Sequence, residues 1–403
     1  MMANIKQNLC PFKKRKLRVP ILPYIYLMDK QKHKGILQKT AERIILEVQN
    51  EHYTNDPAAF ILDNSESKEI RRIYLTALVW SGVLGGLGVV VLFCTKYAFP
   101  AMFPKTMIHV PFIHYSFKYN FVFTAYGFVL AYIELYLLYY INLRAIRRLI
   151  VVCNYPHPSN PDFYEEVGKL AQVGLEKASK HGKEIGMNPY QGVPKAVLTL
   201  YLLINFYKAA LSNIAIRIIV SRVGGRTLGR VFIDMLGVPV FAFWNILVSR
   251  KILYEVQIRI FSKPLTEKFV KQMFYDYQHE PELVGFIYDT LQYISMIKRT
   301  YSYTHYMFGN LLLKTFSIPV EKKHELTPDY FERVSGASVK TKAGIEKIII
   351  FGMVIDGKIS ASEKVMIQKA IDHGIITSTV PEIETLCNNY KRGKGLPGLV
   401  SII

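Results

Sequence analysis

The stretch from Tyr74 to Cys94, YLTALVWSGVLGGLGVVVLFC, sets the class of this chain. Every residue in it is apolar, small or weakly polar, and the run ends at Lys96. Its length matches the ~20 residues an α-helix needs to cross ~30 Å of hydrocarbon, so it predicts a first transmembrane helix. A second run, Tyr119 to Leu143, is also long enough to cross. Tyr119, Phe121 and Tyr126 lie near one end and Tyr139 and Tyr140 near the other, where headgroup interfaces favour aromatic side chains. The surrounding composition agrees: 50% of the 403 residues are hydrophobic and only 20% charged, which excludes a disordered tail or a small disulfide scaffold. Cys10, Cys94, Cys153 and Cys387 show no short spacing, so neither a metal knuckle nor a disulfide framework is expected. The fold class read from these features is all-α: an integral membrane helical protein with two transmembrane helices and cytoplasmic helical domains. The number of spans rises to four if a later apolar hairpin also crosses.

Within the first run Gly82, Gly85, Gly86 and Gly88 crowd together, and Gly82 with Gly86 forms a G-x-x-x-G face. Such a face admits another helix backbone, the expected partner being the helix from Tyr119 to Leu143 or another subunit. Glu134 lies inside the second run, where a carboxylate costs ~2.5–3.5 kcal/mol unless it is neutral or partnered. Two readings of Glu134 stay open: a structural hydrogen bond to a neighbouring helix or to interfacial water, and an ion or proton role.

Orientation follows from the flanks. Arg71 and Arg72 precede the first run and Arg144, Arg147 and Arg148 follow the second, whereas the connection holds only Lys96, Lys105 and Lys118. The positive-inside rule places both termini in the cytoplasm and the Pro-rich connection outside. The chain divides by composition into a basic amino-terminal cytoplasmic region (1–73), a transmembrane hairpin (74–148), a helical region with an apolar membrane-associated hairpin (149–320), and a helical carboxy-terminal domain (321–403). In the first of these, Lys13 to Arg18 precede an apolar patch interrupted by Pro20 and Pro23. No small-residue cleavage pattern follows, so the patch reads as an uncleaved basic leader.

In the third region, Asn160-Pro161 with Asp162, Glu165 and Glu166 marks a helix start. Ala196 to Val220 and Val231 to Val248 are apolar enough to be membrane helices. If both crossed, Arg222, Arg226 and Arg230 in the link between them would lie outside, against the charge rule. The expected arrangement is a hairpin on the cytoplasmic side, with these three arginines near anionic headgroups. Further on, Thr266 is expected to cap one helix and Pro281 to open the next. The aromatic cluster from Tyr301 to Phe308 beside Lys298 and Arg299 reads as core packing or interfacial anchoring, and no nucleic-acid partner is expected.

After Pro319 the pattern is that of a soluble helical segment. Thr327-Pro328 starts a helix, Ile345 to Asp356 forms another, Asp356-Gly357 turns the chain, and Ser360 with Glu363 forms a capping box for a helix ending at Gly374. Residues Ile348 to Ala370, above all Asp356-Gly357-Lys358-Ile359-Ser360 followed by Glu363, resemble the core of the TerB-like (tellurite-resistance-associated) helical domain. The resemblance implies an all-α module of the kind found fused to membrane or stress-response proteins, with acidic residues suspected of binding metal. Asp356 and Glu363 match those acidic positions, while Ile355 stands where the family usually has alanine. A divalent metal at Asp356 and Glu363 is the one cofactor the resemblance implies. A turn plus an amino-terminal cap accounts for the same residues without a ligand.

No nucleophile motif, zinc signature, phosphate loop or paired-carboxylate spacing supports catalysis. The expected function is that of a non-enzymatic, multi-pass protein of the cytoplasmic membrane whose helical domains bind partners or sense envelope or metal stress. Its expected partners are the bilayer with its anionic headgroups and other membrane proteins or copies of itself. The alternatives are a membrane transport component, for which Glu134 would matter, and a membrane-bound enzyme acting on lipid.

Overall fold

A computed structural model describes residues 61–110, 115–173, 184–189, 191, 194, 199, 235, 237–299 and 302–400. Asp63 opens the first helix with a capping box. Its Oδ1 accepts from the backbone N–H groups of Ser65 and Glu66, both at 2.7 Å, and Glu66 Oε2 accepts from the Asp63 N–H at 2.9 Å. Donors that a helix start leaves open are thereby satisfied, and α1 runs over Asn64–Ala98. A short 3-10 turn, Pro100–Met102, leads into an antiparallel hairpin of β1 (Thr106–Val110) and β2 (Tyr115–Tyr119), with Thr106 opposite Tyr119. The connection expected to be a loop is therefore closed by strand pairing. Asn120 then caps α2 (Phe121–Val152), accepting from Phe123 N and donating to the Phe103 carbonyl.

The remaining described elements are helical: α3 (Phe163–Gln172), α4 (Gly237–Tyr277), α5 (Pro281–Lys298), α6 (Tyr303–Thr315), α7 (Tyr330–Gly336), α8 (Val339–Val354), α9 (Ala361–Asp372) and α10 (Val380–Lys391). Helices α1 and α2 are long and apolar enough to cross a membrane. At 1.5 Å per residue they measure about 50 Å each, so each extends well past its apolar run. Their outward faces carry exposed apolar side chains, among them Trp80 at 59%, Phe128 at 74% and Leu135 at 65% exposure.

The small-residue face of α1 packs on α4, not on α2. A Cβ at Gly85 would lie 2.6 Å from the Phe241 carbonyl oxygen, and Cβ atoms at Gly82 and Gly86 would meet Ile246 at 2.8 Å and Val238 at 3.2 Å. Only Gly88 faces α2, where a Cβ would lie 2.8 Å from Glu134 Oε2. The pairing of α1 with α4 is antiparallel. Gly237 lies against Val89, Ser249 against Ser81, and Gln257 against Tyr74, whose hydroxyl donates to it at 2.7 Å.

Thr266 is inside α4 and does not cap a helix; the helix also runs through Pro264. Proline removes one backbone hydrogen bond, but Phe261, Leu265, Phe269 and Met273 present a buried stripe on either side of it. Packing of that stripe holds the helix continuous, since tertiary burial supplies most helical stability in proteins. Pro281 does open α5 at its first turn. Helix α7 begins at Tyr330, with Thr327-Pro328 in the turn ahead of it, and α8 starts earlier than Ile345, at a Ser338 cap.

One hydrophobic core continues from Ile70 in α1 to Val400 at the carboxy-terminal end. At its centre the Phe269 ring stacks on Phe351 with centroids 4.0 Å apart, and Phe308 leans on both. The carboxy-terminal helices thus pack around the second half of α4, and Leu62 N donates to the Gly393 carbonyl to tie the chain ends of this core together. All the described residues fall in one compact unit.

Candidate functional site

The turn between α8 and α9 develops as its residues require. Gly357 takes a φ of +70°, a conformation that favours glycine, and a Cβ there would lie against the Tyr254 hydroxyl. That hydroxyl donates to the Gly357 carbonyl at 2.7 Å. Ser360 and Glu363 form the expected capping box, Glu363 Oε2 accepting from Ser360 N at 3.0 Å. Asp356 Oδ1 accepts from Lys358 N at 3.0 Å.

Between these two carboxylates stands the ammonium of Lys298, from the last turn of α5. Its Nζ donates to Asp356 Oδ1 at 2.9 Å, to Glu363 Oε2 at 3.2 Å and to the Lys358 carbonyl at 2.7 Å. Three donors meet three acceptors, so the ammonium is saturated, and its side chain is wholly buried. Lysine is seldom buried unless paired, and here it is paired twice. The positive charge facing Asp356 and Glu363 is therefore the protein's own. Among the described residues no group of three or more His, Cys, Asp and Glu side chains is placed to hold a metal. Reading the sequence locally found the turn and the cap but not Lys298, which is 58 residues away from Asp356. Its one signal was a lysine continuing the buried spacing of Leu291, Ile294 and Ile297.

His305 abuts this cluster. Its Nδ1 lies 2.7 Å from Ser302 Oγ and its Nε2 3.0 Å from the Gly352 carbonyl. Because the carbonyl only accepts, Nε2 carries the proton, and Nδ1 accepts from the hydroxyl. Burial presses its pKa down to about 4, with Lys298 adding to the fall and Asp356 opposing it.

A second polar cluster fastens the segment ahead of α7. His324 Nε2 is 2.8 Å from Asp289 Oδ1 and Nδ1 is 2.9 Å from Glu321 Oε2, while the ring stacks on Tyr288 at 4.1 Å. The hydrogen bond that His324 donates to Asp289 raises the imidazole's pKa against the opposing pull of burial, and Glu321 adds to the rise. Burial alone would raise the Asp289 carboxyl, but the hydrogen bonds from His324 and Arg333, the latter at 2.6 Å, outweigh it and hold the pKa below the usual value.

In the bundle of α1, α2 and α4, Glu134 Oε1 accepts from Asn245 Nδ2 at 2.7 Å. The Ser81 and Ser249 hydroxyls meet at 2.8 Å one helical turn farther along α4. Glu134 thus makes a hydrogen bond to a neighbouring helix, and that helix is α4. Gly88 leaves the space its carboxylate occupies. Arg222, Arg226 and Arg230 lie outside the described residues, as do Ala196 to Val220 apart from Thr199. Compared with family models, with curated proteins and with solved structures, the chain finds no match.

Proposed function

We propose that this chain is a non-enzymatic integral membrane protein whose helical domain lies on the cytoplasmic side and binds partners or reports on envelope or metal stress. One observation carries the reading. Helix α4 is continuous from Gly237, beside Val89 in the apolar part of α1, to Tyr277 in the core of the helical domain. A helix of about 60 Å, kept continuous through Pro264 by its buried stripe, links the bundle to the core around Phe269. The exposed apolar faces of α1 and α2 support lipid as their surroundings, since a soluble monomer rarely leaves contiguous apolar patches of that size uncovered. The resemblance of residues 348–370 to the TerB-like domain points the same way.

The helical domain offers exposed apolar side chains for a partner, notably Val339 at 86%, Tyr275 at 80% and Val365 at 59% exposure. A photo-crosslinking residue at 339, 275 or 365 in the membrane-embedded protein should capture a defined protein band. Spin labels at 248 and 364 should change separation when the bundle is perturbed by Gly85→Leu. No capture at any of the three positions, together with an unchanged separation, would defeat the reading.

A second reading, a transport component, is favoured by the pairing of Glu134 with Asn245 and by the depth of Gly237. The chain has already reached the level of Val89 where α4 begins. A topology reporter at position 226 separates the two: an extracytoplasmic signal would establish four spans, and the transport reading would then prevail. A cytoplasmic signal, with unaltered proton flux into liposomes for Glu134→Gln, would leave the first reading in place.

A further inference from the structure

At the arginine-bearing end of the bundle, α1 and α2 together line a groove of about 300 Å³. Its floor is apolar and buried, formed by Ile73 and Ala77 of α1 and Ala145 of α2. On one wall stands Trp80, on the other Arg144 and Arg148, both exposed. These arginines are one helical turn apart, which brings their Cβ atoms within about 6 Å. Among the described residues neither has an ion-pair partner, whereas Arg72 nearby is held by Glu69 at 3.4 Å.

We propose that this groove binds an anionic phospholipid, with its phosphate between Arg144 and Arg148 and an acyl chain laid along Ala77 and Trp80 toward Val83. The chemistry of the two ends selects that occupant. A guanidinium presents a planar fork that matches phosphate oxygens bidentately, and two of them on one helix face can share a single phosphate. The apolar floor lies level with those charges, Ala145 following Arg144 directly, and the exposed apolar surface continues past it through Val79, Trp80 and Val83 toward the middle of the Tyr74–Cys94 run, which is the direction a lipid tail takes from its headgroup. A soluble phosphate would use the arginines and leave the floor unused. A protein partner would need the groove to face water, and it adjoins the exposed apolar surface of Val79 and Val83. The assignment rests on membrane insertion of α1 and α2, and it concerns residues distinct from Arg222, Arg226 and Arg230.

The chain has two tryptophans, so Trp244→Phe leaves Trp80 as a sole reporter inside the groove. In nanodiscs of phosphatidylcholine, brominated phosphatidylglycerol should quench Trp80 in preference to brominated phosphatidylcholine. Two arginines at ~1 kcal/mol each near the surface predict a preference of about 30-fold. Arg144→Gln with Arg148→Gln should abolish that preference, Arg144→Lys with Arg148→Lys should keep part of it, and inorganic phosphate should not compete. Arg71→Gln with Arg72→Gln removes the same charge outside the groove and should leave most of the preference. Equal quenching by the two lipids would overturn the site while leaving membrane insertion standing. Absence of quenching by either lipid would overturn insertion and the site together. Loss of preference in the Arg71/Arg72 pair equal to that in the Arg144/Arg148 pair would reduce the effect to general surface charge and reject the groove, and competition by inorganic phosphate would reject the lipid.

Discussion

Replacing Lys298 by methionine would leave Asp356 and Glu363 facing each other with no cation between them. Breaking a buried ion pair by removing one partner costs ~3–5 kcal/mol, because the remaining charge stays desolvated. Chemical denaturation of the Lys298→Met protein in detergent should show a loss of that size. Because the ammonium already meets both carboxylates, added manganese or zinc should leave the melting temperature of the unaltered protein unchanged, and a stabilising shift would instead reveal a cation site. Buried His305 and half-buried His324 predict opposite limbs of a pH profile. His305 has its pKa lowered from 6.5 to about 4. Its contribution is whole above pH 6.5 and is lost as pH falls toward 4, by of order 3 kcal/mol in all. His324 has its pKa raised, so its contribution is whole below pH 6.5 and is lost as pH rises through the raised value. Stability measured against pH should lose its acid slope in His305→Gln, which retains a donor for the Gly352 carbonyl, and its alkaline slope in His324→Gln.

Among the elements, the contact of α1 with α4 is decided by how near the backbones come. At Gly85 the atom a methyl group would strike is the Phe241 carbonyl oxygen, part of a helix backbone, whereas at Gly82 it is the terminal carbon of Ile246, which can rotate away. Gly85→Ala should therefore destabilise the protein by ~1–3 kcal/mol, the range for overpacking a tight contact. Gly82→Ala should cost less, offset in part by the ~1 kcal/mol that alanine gains over glycine in helix propensity. Thermal unfolding of both variants in one detergent decides the order, and equal losses would mean that the G-x-x-x-G spacing, not the backbone approach, governs the interface. Neither substitution should disturb α2, since a Cβ at Gly82 or Gly85 would meet α4 while it is Gly88 that lies against Glu134 of α2.

For the whole molecule, the arginines at the ends of α1 and α2 predict an orientation. A thiol introduced at position 105, ahead of the β-hairpin, should be labelled by an impermeant reagent in intact cells, and thiols at 60, 180 and 340 should be protected until the cells are opened. Labelling at 180 with protection at 105 would reverse the molecule. Much of this level was legible in the linear chain. The two apolar runs, their arginine flanks, the Ser360–Glu363 cap and the turn at Asp356-Gly357 each depend on residues within a few positions of one another, and local rules of length, charge and capping suffice to read them. Glu134 was equally conspicuous, as a lone acid in an apolar run. What stayed hidden were the partners. Asn245 for Glu134, Lys298 for Asp356 and Glu363, and Phe241 for Gly85 are separated from them by scores of residues, and no periodicity within either segment points to the other. Thr266 shows the converse: a residue with the chemistry of a cap lies within a helix because the stripe from Phe261 to Met273 is buried on both sides of it. The sequence by itself determined that helices form and which of them are apolar enough for lipid, because those properties are summed over neighbouring residues. Only the tertiary structure decided that α4 joins the bundle to the helical domain and that a lysine fills the space between two carboxylates, because burial and charge pairing are set by what packs together in space.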